Sequence, residues 1–528
     1  MADSLPDVDG LSLEELRKLV ATLSEQVARL RAESAGLREE IARLKGLPAK
    51  PRLKPSGMAK TTERAEVKRR RKQKHRGPKK LRENVTETRV VEVAVPAGAR
   101  FKGYQDFFVQ ELSIVRRVIR LRRVRWQLAD GTLVVAPLPA GLAGHFGPEL
   151  RRFVLAQYHQ GQTTVERLLA LLRDLGIEIS KRQLVRLLTA GKQDFAAEAD
   201  AVLAAGLATA AWVTVDDTGA RHAGCNQTCT QVGDNRFAWF ATRPSKSRLN
   251  FLELLQAGTP GWRIDDAALG YMRTRGLAVG LVEALRRRGE TTFCDHGAWV
   301  EYAAGCGIRQ TNGGAVDPLR IATEGALWGA LAARGLLHDT VIVSDGAGQF
   351  AVGNHARCWV HAERLIHALD TFNDRQLAAK ERIRQRLWWL YADLRAWQRN
   401  PLPARARALA ARFDTLFTTR TGFVTLDRLL ARIHAVRDDL LKVLRHPGIP
   451  LHTNGSENDI RAVVTRRRIS GGTHSDDGRR ARDAMLALMK TCRKLGISFW
   501  QYLGDRLGVE GAPQVLPLAE IVRRAAPA

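Results

Sequence analysis

The chain is predicted to be a multidomain protein, with an N-terminal coiled coil, a helix-turn-helix region, and an α/β core interrupted by a mostly helical insertion. Three observations predict this. Leucine recurs at every seventh position near the N-terminus. Two amphipathic helices with capping residues follow each other across residues 163–189. Two apolar strands, at 212–215 and 341–343, each run out into aspartate. With 528 residues the chain exceeds what one hydrophobic core usually holds, so several domains are expected.

Leu16, Leu23, Leu30, Leu37 and Leu44 mark one seam position, and Leu13, Val20, Val27 and Ile41 fill the other, with Ser34 the polar interruption. Residues 1–48 are therefore expected to form a coiled coil of about five heptads. β-branched residues at a with Leu at d favour a parallel homodimer, an antiparallel or intramolecular helix pair being the alternative. Gly46 and Pro48 close the helix, and residues 49–84 read as a basic linker. Within it Lys68, Arg69, Arg70, Arg71 and Lys72 begin a tract, reaching Arg76, of almost unbroken positive charge. Such a tract resists compaction and suits sequence-blind contact with DNA phosphates. A solvated spacer is the plainer reading.

Residues 85–137 are expected to be a β-rich module, because Arg89–Val95 and Arg116–Leu128 alternate apolar and basic residues ahead of an Asp130-Gly131 turn. The stretch holds no cysteine, so no zinc ligands are assigned to it. Residues 138–195 carry the helix-turn-helix pattern. Thr163-x-x-Glu166 and Ser180-x-x-Gln183 have capping-box spacing, and Gly176 separates the two helices. The second helix sends Leu184, Leu187 and Leu188 inward and Lys181, Arg182 and Arg186 outward, a basic face that suits the major groove. Helical hairpins without DNA are also common.

The core is expected in three parts, at 196–257, 336–365 and 448–505. In the first, the strand before Asp216 precedes a hairpin around Gly233-Asp234-Asn235 and a helix at Arg248–Gln256. Residues 258–335 read as an accessory insertion. Residues 366–447 read as a helical insertion whose Leu387, Trp388, Trp389, Leu390, Tyr391, Leu394 and Trp397 have the spacing of a buried helix face, and 506–528 as a tail.

Lysine and arginine number 84 against 55 acidic residues, a net charge of +29, which favours a polyanionic partner. Six cysteines make no disulfide framework, and the acidic N-terminus lacks the features of a signal peptide. The apolar run 201–215 is broken by Gly206 and too short to span a bilayer. A cytoplasmic, nucleoid-associated protein with no membrane partner is expected. His222, Cys225, Cys229, Cys294, His296 and Cys306 lack the tight pairing of a structural zinc site, so zinc is not expected. No phosphate-binding loop with the Gly-Lys-Ser/Thr ending supports an ATP-driven motor.

Three segments from distant parts of the chain each supply one carboxylate: Asp216 after an apolar strand, Asp345 in Ser344-Asp345-Gly346, and Glu457 in Asn454-Gly455-Ser456-Glu457. Two Mg²⁺ ions clamp the attacking and leaving oxygens of a phosphodiester and need few protein ligands, so this trio suits phosphoryl transfer. Mn²⁺ is compatible with the same oxygens. Each acid also has a plain structural reading: Asp216 and Asp345 as strand ends, Glu457 as the partner in a cap formed by Asn454. Asp217 and Asp459 rank below their neighbours.

Asp216-Asp217-Thr218, Ser344-Asp345-Gly346, Cys358-Trp359-Val360-His361-Ala362-Glu363-Arg364, Asn454-Gly455-Ser456-Glu457-Asn458-Asp459-Ile460-Arg461 and Ser498-Phe499-Trp500-Gln501-Tyr502-Leu503 together resemble the motifs of a DDE transposase family of bacterial insertion sequences, the IS sixty-six family. The resemblance covers most of 138–257 and 336–505, in the family's order. It implies an RNase H-like core, catalytic and metal-binding roles for Asp216, Asp345 and Glu457, and positions near the site for His361 and Arg461. It also implies cleavage of the element's ends and their joining to target DNA. The expected partners are double-stranded DNA (terminal inverted repeats and target), a second copy of the chain, and accessory proteins of the element. A zinc ribbon, usual in related proteins at 85–137, is not carried over, and residues 258–335 exceed the family's spacing. A catalytically silent DNA-binding repressor and an RNase H-like nuclease remain the alternatives.

Overall fold

The computed structural model describes residues 85–139, 142, 144–311 and 317–526, together with Glu14, 20–22 and 24–27, which are helical. The rest of the heptad segment, and the basic tract with Lys68, Arg69, Arg70, Arg71 and Lys72, lie outside the described residues. The chain divides into two compact units, Met1–Ser113 and Ile114–Ala528.

In the first unit, residues 85–113 form neither helix nor strand. The strand expected at 89–95 is therefore absent, and in the second unit the strand expected over 116–128 shrinks to β1, Arg125–Gln127. This pairs with β2, Leu133–Val135, around the anticipated Asp130-Gly131 turn. Alternation alone does not make a strand: with Val91 92% and Phe107 89% exposed, no apolar face is covered, and unsupported β-ribbons are marginal in water.

The second unit is built on a five-stranded mixed sheet ordered β5-β4-β3-β8-β9. β3 (Trp212–His222), β4 (Cys225–Gly233) and β5 (Ala238–Arg243) form an antiparallel meander. β8 (Val341–Ser344) and β9 (Asn354–Arg357) lie parallel to β3. Between them the chain forms a small two-stranded sheet, β6 (Trp262–Ile264) with β7 (Thr291–Phe293). The mixed sheet with its flanking helices is compatible with an RNase H-like core. The hairpin and the Arg248–Leu255 helix match the sequence pattern, while β9, short and containing His355 and Arg357, had no pattern to announce it.

Two cores sandwich the central strands. Val213, Val215 and Ile342 point into one, with the Gln193–Thr209 and Asp476–Lys494 helices; Val341, Val343 and Ala356 point into the other. β8 is thus buried on both faces, which explains its unbroken apolar run. Gly206 is required by close packing, since a Cβ there would lie 2.3 Å from the Phe237 ring. The second core is that of the helical insertion: Leu387, Leu390, Tyr391, Leu394 and Trp397 are buried, whereas Trp389 is exposed. Residues 258–335 share the first core through the Pro318–Ala333 helix.

The two expected helices are present as Val165–Asp174 and Lys181–Thr189. Ser180 and Gln183 form a full capping box, but the first cap is Thr164, not Thr163, with its hydroxyl accepting from Arg167 N–H. Among the described residues no helix is long and apolar enough to cross a membrane.

Candidate active site

β3 does not stop at the acids. It continues to His222, because its far half pairs with β4 (Asp216 opposite Gln231) after β8 has ended. On its other edge Trp212, Val213 and Thr214 pair with Val341, Ile342 and Val343. Carried two residues further, this parallel register sets Asp216 against Asp345, on strands about 4.8 Å apart. Asp345 leaves the strand in a tight turn, its Oδ1 accepting from Ala347 N–H at 2.9 Å, and Gly346 takes a positive φ of 97°.

Side chains alternate along a strand, so Thr214 and Asp216 share one face. Ser456 Oγ donates to Thr214 Oγ1 at 2.6 Å on that face, which docks the Asn454–Ser470 helix where its first turn carries Glu457. The helix is entered from Thr453, whose side chain makes no cap bond; Asn454 is inside the helix and does not cap it. The capping role considered for Glu457 is therefore not what holds it.

Burial is the main reason that the Asp216 carboxyl is pushed up to about 6; repulsion from Asp345, Glu457 and Asp217 adds to it, against a hydrogen bond from Asp217 N–H. Arg364 is a cationic neighbour of Glu457: its Nη2 donates to Oε2 at 3.3 Å, and Nη1 lies 3.1 Å from Oε1 without hydrogen-bond geometry. Arg364 Nη1 is also 2.9 Å from His361 Nε2, which itself lies 3.8 Å from Glu457. Burial and Arg364 lower the His361 pKa, Glu457 and Asp345 opposing them. His361 thus stands beside the acids. Arg461, one turn after Glu457 on the same helix, is exposed and donates to Asn458.

The two lower-ranked acids are already neutralised. Asp217, on the opposite face of β3, pairs with Lys246 and accepts from Gln349 at 2.7 Å. Asp459 pairs with Lys494 at 2.8 Å and Lys490 at 3.5 Å. Behind Asp345, Ser344 Oγ lies 2.8 Å from His355 Nε2, whose Nδ1 is 3.1 Å from Asp439, and Ser344 also accepts from Gly346 N–H. Lys246, His355 and Asp439 escaped sequence reasoning. Arg364 stood in the Cys358–Arg364 motif without a role of its own, three residues after His361 on one helix face.

No group of three or more Asp, Glu, His or Cys close enough to hold one ion is assembled among the described residues. The donor chemistry nevertheless fits a hard cation: the Asp216 carboxylate is repelled by Asp345 and Glu457, and Glu457 keeps an oxygen lacking a hydrogen bond among the described residues. Mg²⁺ requires only one or two carboxylates and takes its other ligands from water and phosphate. Of the Cys and His residues considered for zinc, His222 pairs across the hairpin with Cys225 and bonds Thr473, Cys229 and Cys306 are buried, Cys225 and Cys294 are exposed, and His296 packs on Trp262. Lys181, Arg182 and Arg186 are exposed on their helix, Lys181 paired with Glu166 at 2.8 Å.

A family model described as "Transposase IS66 family" matches residues 143–278 and 332–481. The unmatched stretch between falls within the accessory insertion. A relative from Sinorhizobium fredii (strain NBRC 101917 / NGR234), "Uncharacterized protein y4jO", is 51% identical over 321 residues, 61% of this chain and 99% of the relative.

Proposed function

The chain belongs to the IS66 transposase family, and on that premise we propose that it is a DDE transposase in which Asp216, Asp345 and Glu457 form the catalytic trio. The observation that carries this reading is the convergence of these acids: the β3–β8 register and the Ser456–Thr214 bond bring them from three distant segments to one face of the sheet.

In this reading water attacks the phosphodiester at the element's end, and the freed 3′-hydroxyl then attacks target DNA, with no covalent protein–DNA intermediate. Bound at the trio, two Mg²⁺ ions (or Mn²⁺) supply charge neutralisation and lower the nucleophile's pKa. The protein fixes the ligands beforehand. The turn at Gly346 aims Asp345, the docked helix aims Glu457, and Arg364 and His361 place cationic and hydrogen-bonding groups where phosphate charge must be accommodated. Arg182 and Arg186 read terminal repeats, the 68–76 tract contacts phosphates non-specifically, and the zipper pairs two copies.

Asp216→Asn, Asp345→Asn and Glu457→Gln are each expected to abolish Mg²⁺-dependent nicking while gel-shift affinity for DNA stays nearly unchanged. Nicking retained by any one variant removes that residue from the trio. Binding without nicking by the unaltered protein moves the assignment to a repressor.

A further inference from the structure

A cleft separate from the acids opens between the far half of the Asn454–Ser470 helix, the β3–β4 hairpin and the end of the Pro148–His159 helix. Its lining includes Tyr158, His159, Arg221, Arg466, Arg467 and Arg482, and no carboxylate. Arg482 is balanced by Asp483. Among the described residues no acid pairs with Arg221, Arg466 or Arg467. The Arg466 guanidinium lies 3.7 Å over the Tyr158 ring, and its Nη1 donates to the carbonyls of Tyr158 and Thr163 at 3.3 and 3.1 Å. Its Nη2 is buried with no partner, and so is His159 Nε2. Burial, with Arg466 and Lys192 close by, brings His159 down to about 3, so the imidazole adds no charge of its own. A guanidinium withdrawn from water without a counter-charge is costly, and such costs are tolerated where a ligand supplies the missing group.

We propose that this cleft is a second phosphate site, which holds a backbone phosphate of the bound DNA through Arg466 and Arg221. The assignment rests on the transposase reading and adds a second DNA contact to it. Ser456 touches Thr214 and Arg467 touches Gly219, so the helix and β3 run in the same direction from the acids to the cleft. The cleft lies beyond the acids along both elements, but Arg466, nine residues after Glu457, is half a turn round the helix from it, and Arg221, five residues after Asp216, is on the opposite face of β3. The phosphate held here therefore belongs to DNA passing on the other side of these elements, outside the stretch that enters the acids. The hairpin is stapled to the loop after the helix by Thr473 N–H to Arg221 O at 3.0 Å and Ala223 N–H to Thr473 O at 2.8 Å, which keeps the two cationic walls in register.

The test uses the full chain and a random-sequence duplex, because a phosphate contact is sequence-blind. Binding is measured against salt for the unaltered protein, Arg466→Gln and Arg221→Gln. Arg221 is exposed on the hairpin, so its variant stands even if Arg466→Gln fails to fold. Each variant is expected to lower the log–log slope by about 0.9 and weaken binding about eightfold at 0.1 M salt. In a second arm, melting is followed with millimolar inorganic phosphate. DNA binding with unchanged slopes in Arg221→Gln and in folded Arg466→Gln overturns the proposal and leaves the transposase reading intact. Unchanged slopes together with phosphate protection lost in Arg466→Gln would mean a site for free phosphate, which also overturns it. An unaltered protein that binds no DNA overturns both readings.

Discussion

Ser456 donates a 2.6 Å hydrogen bond to Thr214, joining the residue before Glu457 to the residue two before Asp216. Both hydroxyls are buried. Ser456→Ala leaves Thr214 its other bond, to the Gly233 carbonyl, so only the net worth of one hydrogen bond, about 0.5–1.5 kcal/mol, is lost. Ser456→Ala is expected to destabilise the protein by that amount in denaturant unfolding. With Thr214→Val the losses should be non-additive by about 1 kcal/mol in a double-mutant cycle. Additive losses would mean that the bond does not couple helix to strand.

Arg364 holds Glu457 where a cation is proposed to sit. A guanidinium and a divalent ion compete for one carboxylate, so Arg364→Gln is expected to lower the Mg²⁺ concentration for half-maximal nicking by about tenfold, the scale of one charged hydrogen bond. A higher Mg²⁺ requirement would make Arg364 a residue that positions Glu457 for the metal.

His159 gives stability a pH dependence. Its folded pKa, about 3, lies below the ordinary 6.5. Between those values the unfolded chain binds a proton that the folded chain does not, so stability falls as pH drops from about 6.5 toward 3. At pH 5 the loss is about 2 kcal/mol. Denaturation midpoints for the unaltered protein and His159→Gln should converge as pH is lowered through this window; parallel curves would show that His159 is protonated in the fold.

The acids were legible in the sequence because each sits at a change of local pattern, an apolar strand meeting charge or a helix beginning. Their convergence was not, since it depends on which strands adjoin: β3 outruns β8, a consequence of its pairing with β4. Long-range partners such as Arg364 on Glu457, Lys246 on Asp217 and His355 on Ser344 leave no periodic trace. The stretches at 89–95 and 116–124 failed in the other direction: alternation suggested strands there, and among the described residues no partner strand supports them.

The N-terminal seam predicts that residues 1–48 alone form a parallel dimer. Analytical ultracentrifugation at tens of micromolar decides this, and a monomer would contradict it. Neutralising the 68–76 tract in the full chain should flatten the salt dependence of DNA binding by about 0.9 per lost phosphate contact; an unchanged slope makes the tract a spacer. Arg182→Ala or Arg186→Ala should reduce discrimination between terminal and random DNA.

The central claim, that Asp216, Asp345 and Glu457 carry out strand transfer, is tested most directly by joining a pre-cut element end to target DNA with purified protein. A pre-cut end supplies the 3′-hydroxyl, so slow nicking cannot mask the result. Mg²⁺ and Mn²⁺ are used separately, with lysate added to supply accessory proteins. The account predicts joined product that disappears with Asp345→Asn while DNA binding persists. Specific binding with no joining under either metal would contradict it.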